Sequence, residues 1–163
     1  MKKVLAFSGS SNSGSINHKL VTVAVNLLDG VESTVVKLND FNLPIYSIDI
    51  EESDGFPEGV ERLKSLFESH DAFVISSPEH NGVMPAMLKN AIDWISRVQK
   101  PIFLDKPVLL MSTSPGERGG LTNLENMESL MPRWGAKVVS TYRLGKFHDH
   151  YNSEFKTLDS NDL

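Results

Sequence analysis

The sequence predicts an α/β fold, a three-layer αβα sandwich around a five-stranded parallel sheet. Three observations predict it. Short apolar runs rich in β-branched residues alternate with longer segments whose apolar residues recur at spacings of three and four. The run Pro107 to Met111 is apolar almost without interruption, as expected of a strand covered on both faces. Each run is followed by a helical segment rather than by a second run, and right-handed crossovers then leave a parallel sheet with helices on both sides.

The elements follow in chain order. Val4 to Phe7 form strand one, and Ser8-Gly9-Ser10-Ser11-Asn12-Ser13-Gly14-Ser15 is a loop of small polar residues. A helix runs from about Ile16 to Leu28, with Leu20, Val21, Ala24, Val25 and Leu28 on one face and Ser15 as its N-cap. Ser33 to Leu38 form strand two. Residues 39 to 56 show no period; they contain Pro44 and the acidic residues Asp49, Glu51, Glu52 and Asp54, and read as a long connection with a solvated acidic face. Phe56-Pro57-Glu58 opens the next helix with proline in its first turn, and Val60, Leu63, Leu66 and Phe67 carry its apolar side.

Ala72 to Ile75 form strand three, Ser76 to Gly82 a polar turn, and a helix follows on which Met84, Met87, Leu88, Ala91, Ile92, Ile95 and Val98 recur. Trp94 falls beside this stripe and reads either as core or as a subunit contact. After strand four come the loop Ser112 to Gly120, a helix from Leu121 to Met131 stopped by Pro132, and a fifth strand beginning at Ala136 to Val139. Residues 144 to 163 have no clear period. Asp159 to Leu163 read as the capping start of a helix that would cover the last face of the sheet, so the sequence predicts either a truncated chain or a partner over strand five. Residues 1–163 are expected to form one domain. The strand order 2-1-3-4-5 makes the arrangement flavodoxin-like, with its switch point between strands one and three.

Composition narrows the function classes. The 163 residues include no cysteine, so neither a disulfide framework nor a thiol nucleophile is available. The formal net charge of −5 argues against non-specific nucleic-acid binding. No apolar stretch approaches the roughly 18 residues of a membrane span, and the apolar run after Lys2-Lys3 is too short for a signal peptide.

The three loops richest in glycine and small polar residues follow strands one, three and four. They should open together at the carboxyl edge of the sheet, where ligands bind in this class. The first offers N–H groups, hydroxyls and a helix N-terminus, a combination suited to phosphate. It is not a Walker A loop, because Ser15-Ile16 follow Gly14, and not a dinucleotide fingerprint, because Gly9-Ser10-Ser11 lacks the second glycine. Read alone it could be an ordinary turn with a capping serine, though it is longer than a connection needs. His80 alone reads as a surface or capping histidine. No histidine or acid shows metal-ligand spacing with it, and His148-Asp149-His150 offers two ligands at most. No serine stands in a Gly-x-Ser-x-Gly elbow.

Residues 3 to about 150 resemble the NADPH-dependent FMN reductases, which include quinone, chromate and azo-dye reductases. Pro78-Glu79-His80-Asn81-Gly82 with Leu88-Lys89-Asn90-Ala91-Ile92-Asp93-Trp94 is similar to the family's P-E-Y-N-x-x-x-P-x-x-L-K-N-A-I-D-W. Ser8-Gly9-Ser10 with Ser15-x-Asn17, and Ser114-Pro115-Gly116 with Gly119-Gly120, are supporting matches. The resemblance implies an enzyme using FMN and NADPH or NADH, with no catalytic side chain and no metal. Ser10, Ser15, Ile16 and Asn17, with Asn12 beside them, would hold the phosphate. Pro78, Glu79, His80, Asn81 and Gly82 would line the isoalloxazine, and Ser112, Ser114, Gly116 and Gly119 would lie near its other edge. Hydride would pass from the nicotinamide to the flavin, and electrons on to a quinone or similar small acceptor, or free FMN would be reduced. The resemblance further implies a homodimer or homotetramer packed through the helix of Trp94, and the lack of cysteine fits a reducing cytoplasm. A flavodoxin-type FMN electron carrier and a non-enzymatic flavin-binding protein are the alternatives.

Two departures from the family pattern carry expectations. Ser11-Asn12 stand where a basic residue is usual; a charge-assisted bond is worth about 1.5–3 kcal/mol, so FMN is expected to be held roughly 10- to 150-fold more loosely. Lys19 is near but one turn into the helix. His80 replaces the usual tyrosine, which predicts a pH dependence of flavin affinity or turnover.

Overall fold

The computed structural model describes residues 1–159. Strand β1 (Lys2–Ser8) lies second from one edge of a five-stranded sheet. β2 (Val31–Lys37) pairs on one side of it and β3 (Ala72–Ser76) on the other, followed by β4 (Lys106–Thr113) and β5 (Ala136–Leu144). The order is β2-β1-β3-β4-β5 and every pairing is parallel, as the sequence predicts.

The alternation of side chains along a strand sorts the core into two layers. Leu5 and Phe7 join Phe73, Ile75, Val108 and Leu110 beneath helices α3 (Glu58–Ser69) and α4 (Ala86–Val98). Val4 and Ala6 join Val74 and Met111 beneath helix α1 (Ile16–Asn26). The first layer is aromatic: Phe67 lies 4.9 Å from Phe73 and 5.5 Å from Phe103 between ring centroids. Trp94 belongs to this layer. It is wholly buried and donates its indole N–H to the Pro44 carbonyl at 2.7 Å, so of its two readings the ring is core.

The stretch from 39 to 56 departs from expectation. Leu38–Phe41 form a 3₁₀ turn, and Ser47 caps a seven-residue helix, α2 (Ile48–Asp54), by accepting from the Asp49 N–H at 3.2 Å. No residue of α2 is buried, so it leaves no apolar stripe to read. Asp49 and Glu51 sit in its first turn, where they complement the helix dipole. Glu51 is more than a solvated acid: it accepts from Arg97 at 2.8 Å and from the Tyr46 hydroxyl at 2.9 Å, and the Arg97 bond is the main cause holding its carboxyl below the usual range.

Pro57 is the cap residue rather than part of the first turn of α3. Helix α5 (Leu121–Leu130) gives way to a 3₁₀ turn, Met131–Trp134, that contains Pro132. The stretch from 144 onward is also built. A short helix α6 (Phe147–His150) buries Phe147, and β6 (Tyr151–Asn152) pairs antiparallel with β7 (Thr157–Leu158). The expected helix start at Asp159–Leu163 lies outside the described residues beyond Asp159.

Candidate functional site

Register brings the three loops together. Ser8 is level with Ser76, and Ser76 with Met111, so the chain leaves β1, β3 and β4 at one edge. Gly9 N–H donates to the Ser76 carbonyl at 3.0 Å and Ser77 N–H to that of Met111 at 2.9 Å, extending the sheet one residue into the loops.

Beneath this edge lies a set of buried polar ties. The Asn17 side chain accepts from the Ser76 hydroxyl at 2.7 Å and the Thr113 N–H at 3.1 Å, and donates to the Thr113 carbonyl at 3.0 Å. One amide therefore locks the first turn of α1 to β3 and β4, leaving only its backbone N–H for a ligand. Ser112 donates to the Ser77 carbonyl at 2.8 Å and is wholly buried, so it supports the site from behind. Asn123, also wholly buried, donates to the Ser77 hydroxyl and the Pro78 carbonyl, each at 3.0 Å. Ser76, Ser77, Thr113 and Asn123 were not singled out from the sequence. For Asn123 the sequence offers only its spacing, four residues before Met127, and that does not show its burial.

The β3 loop is fixed from both ends. Glu79 accepts from the Asn123 N–H at 3.0 Å, placing a carboxylate at the start of α5 where the dipole favours it. His80 and Val83 exchange backbone bonds of 2.9 and 3.2 Å around Asn81 and Gly82, whose φ values are 54° and 83°. This is the Asn-Gly two-residue turn with both central residues at positive φ, the type I′ pattern. Asn126 donates to the Gly82 carbonyl at 3.0 Å. The N–H groups of Glu79, Asn81 and Gly82 meet no acceptor among the described residues, and His80 and Asn81 are exposed.

The β1 loop is held by its own side chains. Ser8, Ser10 and Asn12 accept from the N–H groups of Ser10, Asn12 and Gly14 at 3.1, 3.2 and 2.9 Å, and Ser15 caps α1 by accepting from His18 at 3.2 Å. The N–H groups of Ser11, Ser13, Ile16 and Asn17 remain without an acceptor among the described residues. Four open donors beside a helix N-terminus fit a phosphate. A cavity of about 210 Å³ adjoins this loop, lined by Ser8, Ser10, Asn12 and Ser13 and also by His18, Lys37, Asn39 and Asp40. Lys19 is turned elsewhere, its ammonium 5.3 Å from the ring of Tyr151.

Beyond Ser112, the β4 loop is tied to β5 and to the start of α6. Ser114 and Gly116 give their carbonyls to the N–H groups of Phe147 and Lys146 at 3.2 and 2.9 Å, and Arg143 donates to the carbonyls of Glu117 and Arg118. Gly119 is buried, and Gly120 sits at φ +76° with Ser112 Oγ 2.1 Å from where a Cβ would be. Ser114 and Gly116 are the predicted residues of this loop with surface to offer. No group of three or more histidines and acids able to hold a metal occurs among the described residues.

The family model for NADPH-dependent FMN reductases matches residues 2–149. The chain belongs to that family. It is 38% identical over 118 residues to an NAD(P)H-dependent FMN reductase of Pseudomonas aeruginosa, covering 72% of this chain and 62% of that protein. A quinone reductase of Escherichia coli is 33% identical over 138 residues, 85% of this chain and 73% of the other. The flavoenzyme FerB of Paracoccus denitrificans, an NAD(P)H:(acceptor) oxidoreductase, superposes with a TM-score of 0.79 at 29% identity, covering 99% of this chain and 88% of that one. The chain thus spans less than two thirds of the length of the first of these relatives. Among the described residues no helix is long and apolar enough to cross a membrane.

Proposed function

We propose that this chain binds FMN and works as an oxidoreductase, using NADPH or NADH to reduce a quinone or a similar small acceptor. The observation that carries the proposal is the convergence, at one sheet edge, of a donor-rich loop at a helix N-terminus and a rigid Asn-Gly turn with outward N–H groups. Bound FMN supplies a ring that accepts hydride from a reduced nicotinamide and delivers electrons to an acceptor.

The residues divide the work of holding it. The N–H groups of Ser11, Ser13, Ile16 and Asn17 and the hydroxyls of Ser10 and Ser15 bind the phosphate, with Asn12 shaping the loop through its bond to Gly14. Pro78, Glu79, His80, Asn81 and Gly82 line the isoalloxazine, their open N–H groups meeting its polar edge, and Ser114 and Gly116 stand at the opposite side. Ser112 and Gly119 support these walls from within. We further propose a homo-oligomer in the cytoplasm, where reduced nicotinamide is available. Its contact would use the outward residues of α4 (Lys89, Asp93 and Arg97) and not the buried Trp94.

The test is an assay of the purified chain with NADPH, FMN and a benzoquinone. Oxidation of NADPH that needs both FMN and the quinone is the expected result. Flavin binding without NADPH oxidation would point to an electron carrier and overturn the enzymatic reading.

A further inference from the structure

We propose that Lys37, together with His18, supplies the positive charge missing from the β1 loop and makes the adjoining cavity a site for a phosphate monoester dianion. The inference rests on the proposed function. The sequence places no cation in the loop, because Ser11-Asn12 occupy the usual basic position. The structure brings one from the neighbouring strand. Lys37 ends β2 level with Ser8, the last residue of β1, and lines the same 210 Å³ cavity as Ser10, Asn12 and Ser13. His18 lines it from the first turn of α1. Neither Lys37 nor the His18 ring has a hydrogen-bond or ion-pair partner among the described residues. By contrast Lys19, the nearer cation in sequence, lies over Tyr151.

Asp40, on the 3₁₀ turn after β2, lines the same cavity and opposes an anion. The His18 imidazole is held below its ordinary value by burial and by Lys37, with Asp40 acting in the opposite sense. A dianion beside it would offset both the burial and the Lys37 charge, so binding should take up a proton and strengthen as pH falls toward the imidazole range. Two phosphates have this chemistry, the 5′-phosphate of FMN and the 2′-phosphate of NADPH.

The experiment compares the wild-type chain with Lys37→Gln, Lys37→Arg and Asp40→Asn. Flavin fluorescence gives the affinities for FMN and for riboflavin, which lacks the phosphate. Losing a charge-assisted contact should weaken FMN on the order of tenfold in Lys37→Gln, leave riboflavin unchanged, and be restored in Lys37→Arg. Asp40→Asn should tighten FMN. If the dianion is the nicotinamide's, Lys37→Gln instead raises the KM for NADPH but not NADH, and FMN affinity holds. A separate arm follows the His18 ring signals by NMR during titration with inorganic phosphate. Shifts in the wild type that vanish in Lys37→Gln would uphold the site even if FMN did not bind and the enzymatic reading failed. Lys37→Gln matching the wild type toward FMN, NADPH and inorganic phosphate would overturn the inference.

Discussion

The two sides of the sheet edge are built on opposite principles. On the β3–β4 side, Asn17, Ser76, Ser77, Ser112, Thr113 and Asn123 are buried and spend their side chains on one another and on the backbone. On the β1–β2 side, Ser11 to Gly14 are exposed, the loop is shaped by short local turns and one long-range bond, from the Asn39 amide to the Ser11 carbonyl, and four of its donors are left open. A buried network satisfied in all but the Asn123 side-chain oxygen fixes geometry, whereas an exposed loop with open N–H groups and unpaired cations stores its binding capacity for a ligand. The first side gives a ring a wall; the second gives a phosphate its charge.

That contrast can be broken by mutation. Asn17→Ala leaves the Ser76 hydroxyl and both backbone groups of Thr113 without their partner, and should cost about 3 kcal/mol in urea unfolding. A cost under about 1 kcal/mol would mean the network does not hold this side rigid. Gly120→Ala forces a Cβ against Ser112 Oγ at a positive φ and should cost about 1–3 kcal/mol by the same measurement. Glu79→Ala removes the acceptor for the Asn123 N–H, with an expected loss of about 1 kcal/mol and faster hydrogen exchange at the bonded amides of His80 and Val83. On the open side, Asn12→Ala should change stability by no more than about 0.5 kcal/mol yet weaken FMN, since its bond to Gly14 shapes the loop and not the core.

A fifth prediction lies outside both regions. Glu51 has a lowered folded pKa, so its contribution is present above the unfolded glutamate value and is lost as pH falls through the folded one. Acidification should therefore release α2 from Arg97, and Glu51→Gln should remove that pH dependence from thermal unfolding.

Much of this architecture was legible in the sequence because it rests on periodicity. The strand runs, the apolar faces of α1, α3 and α4, and the Ser15 cap announce themselves locally. Short α2 did not, since seven residues with no buried member carry no stripe. Asn123 escaped because a buried asparagine looks like a surface one until its surroundings are known. Lys37 and His18 meet only through the β1–β2 register, which no local pattern encodes. Trp94 resolved the other way: its place beside the stripe left two readings, and the loop carrying Pro44 decided between them by covering it.

The central claim is that the two unlike loops form one site. The most direct measurement is an amide NMR titration of the labelled chain with FMN. The account predicts that signals of residues 10 to 17 and of 79 to 83 shift together along one binding curve, while those of the β5 edge strand stay in place. Shifts confined to one loop, or to neither, would contradict it.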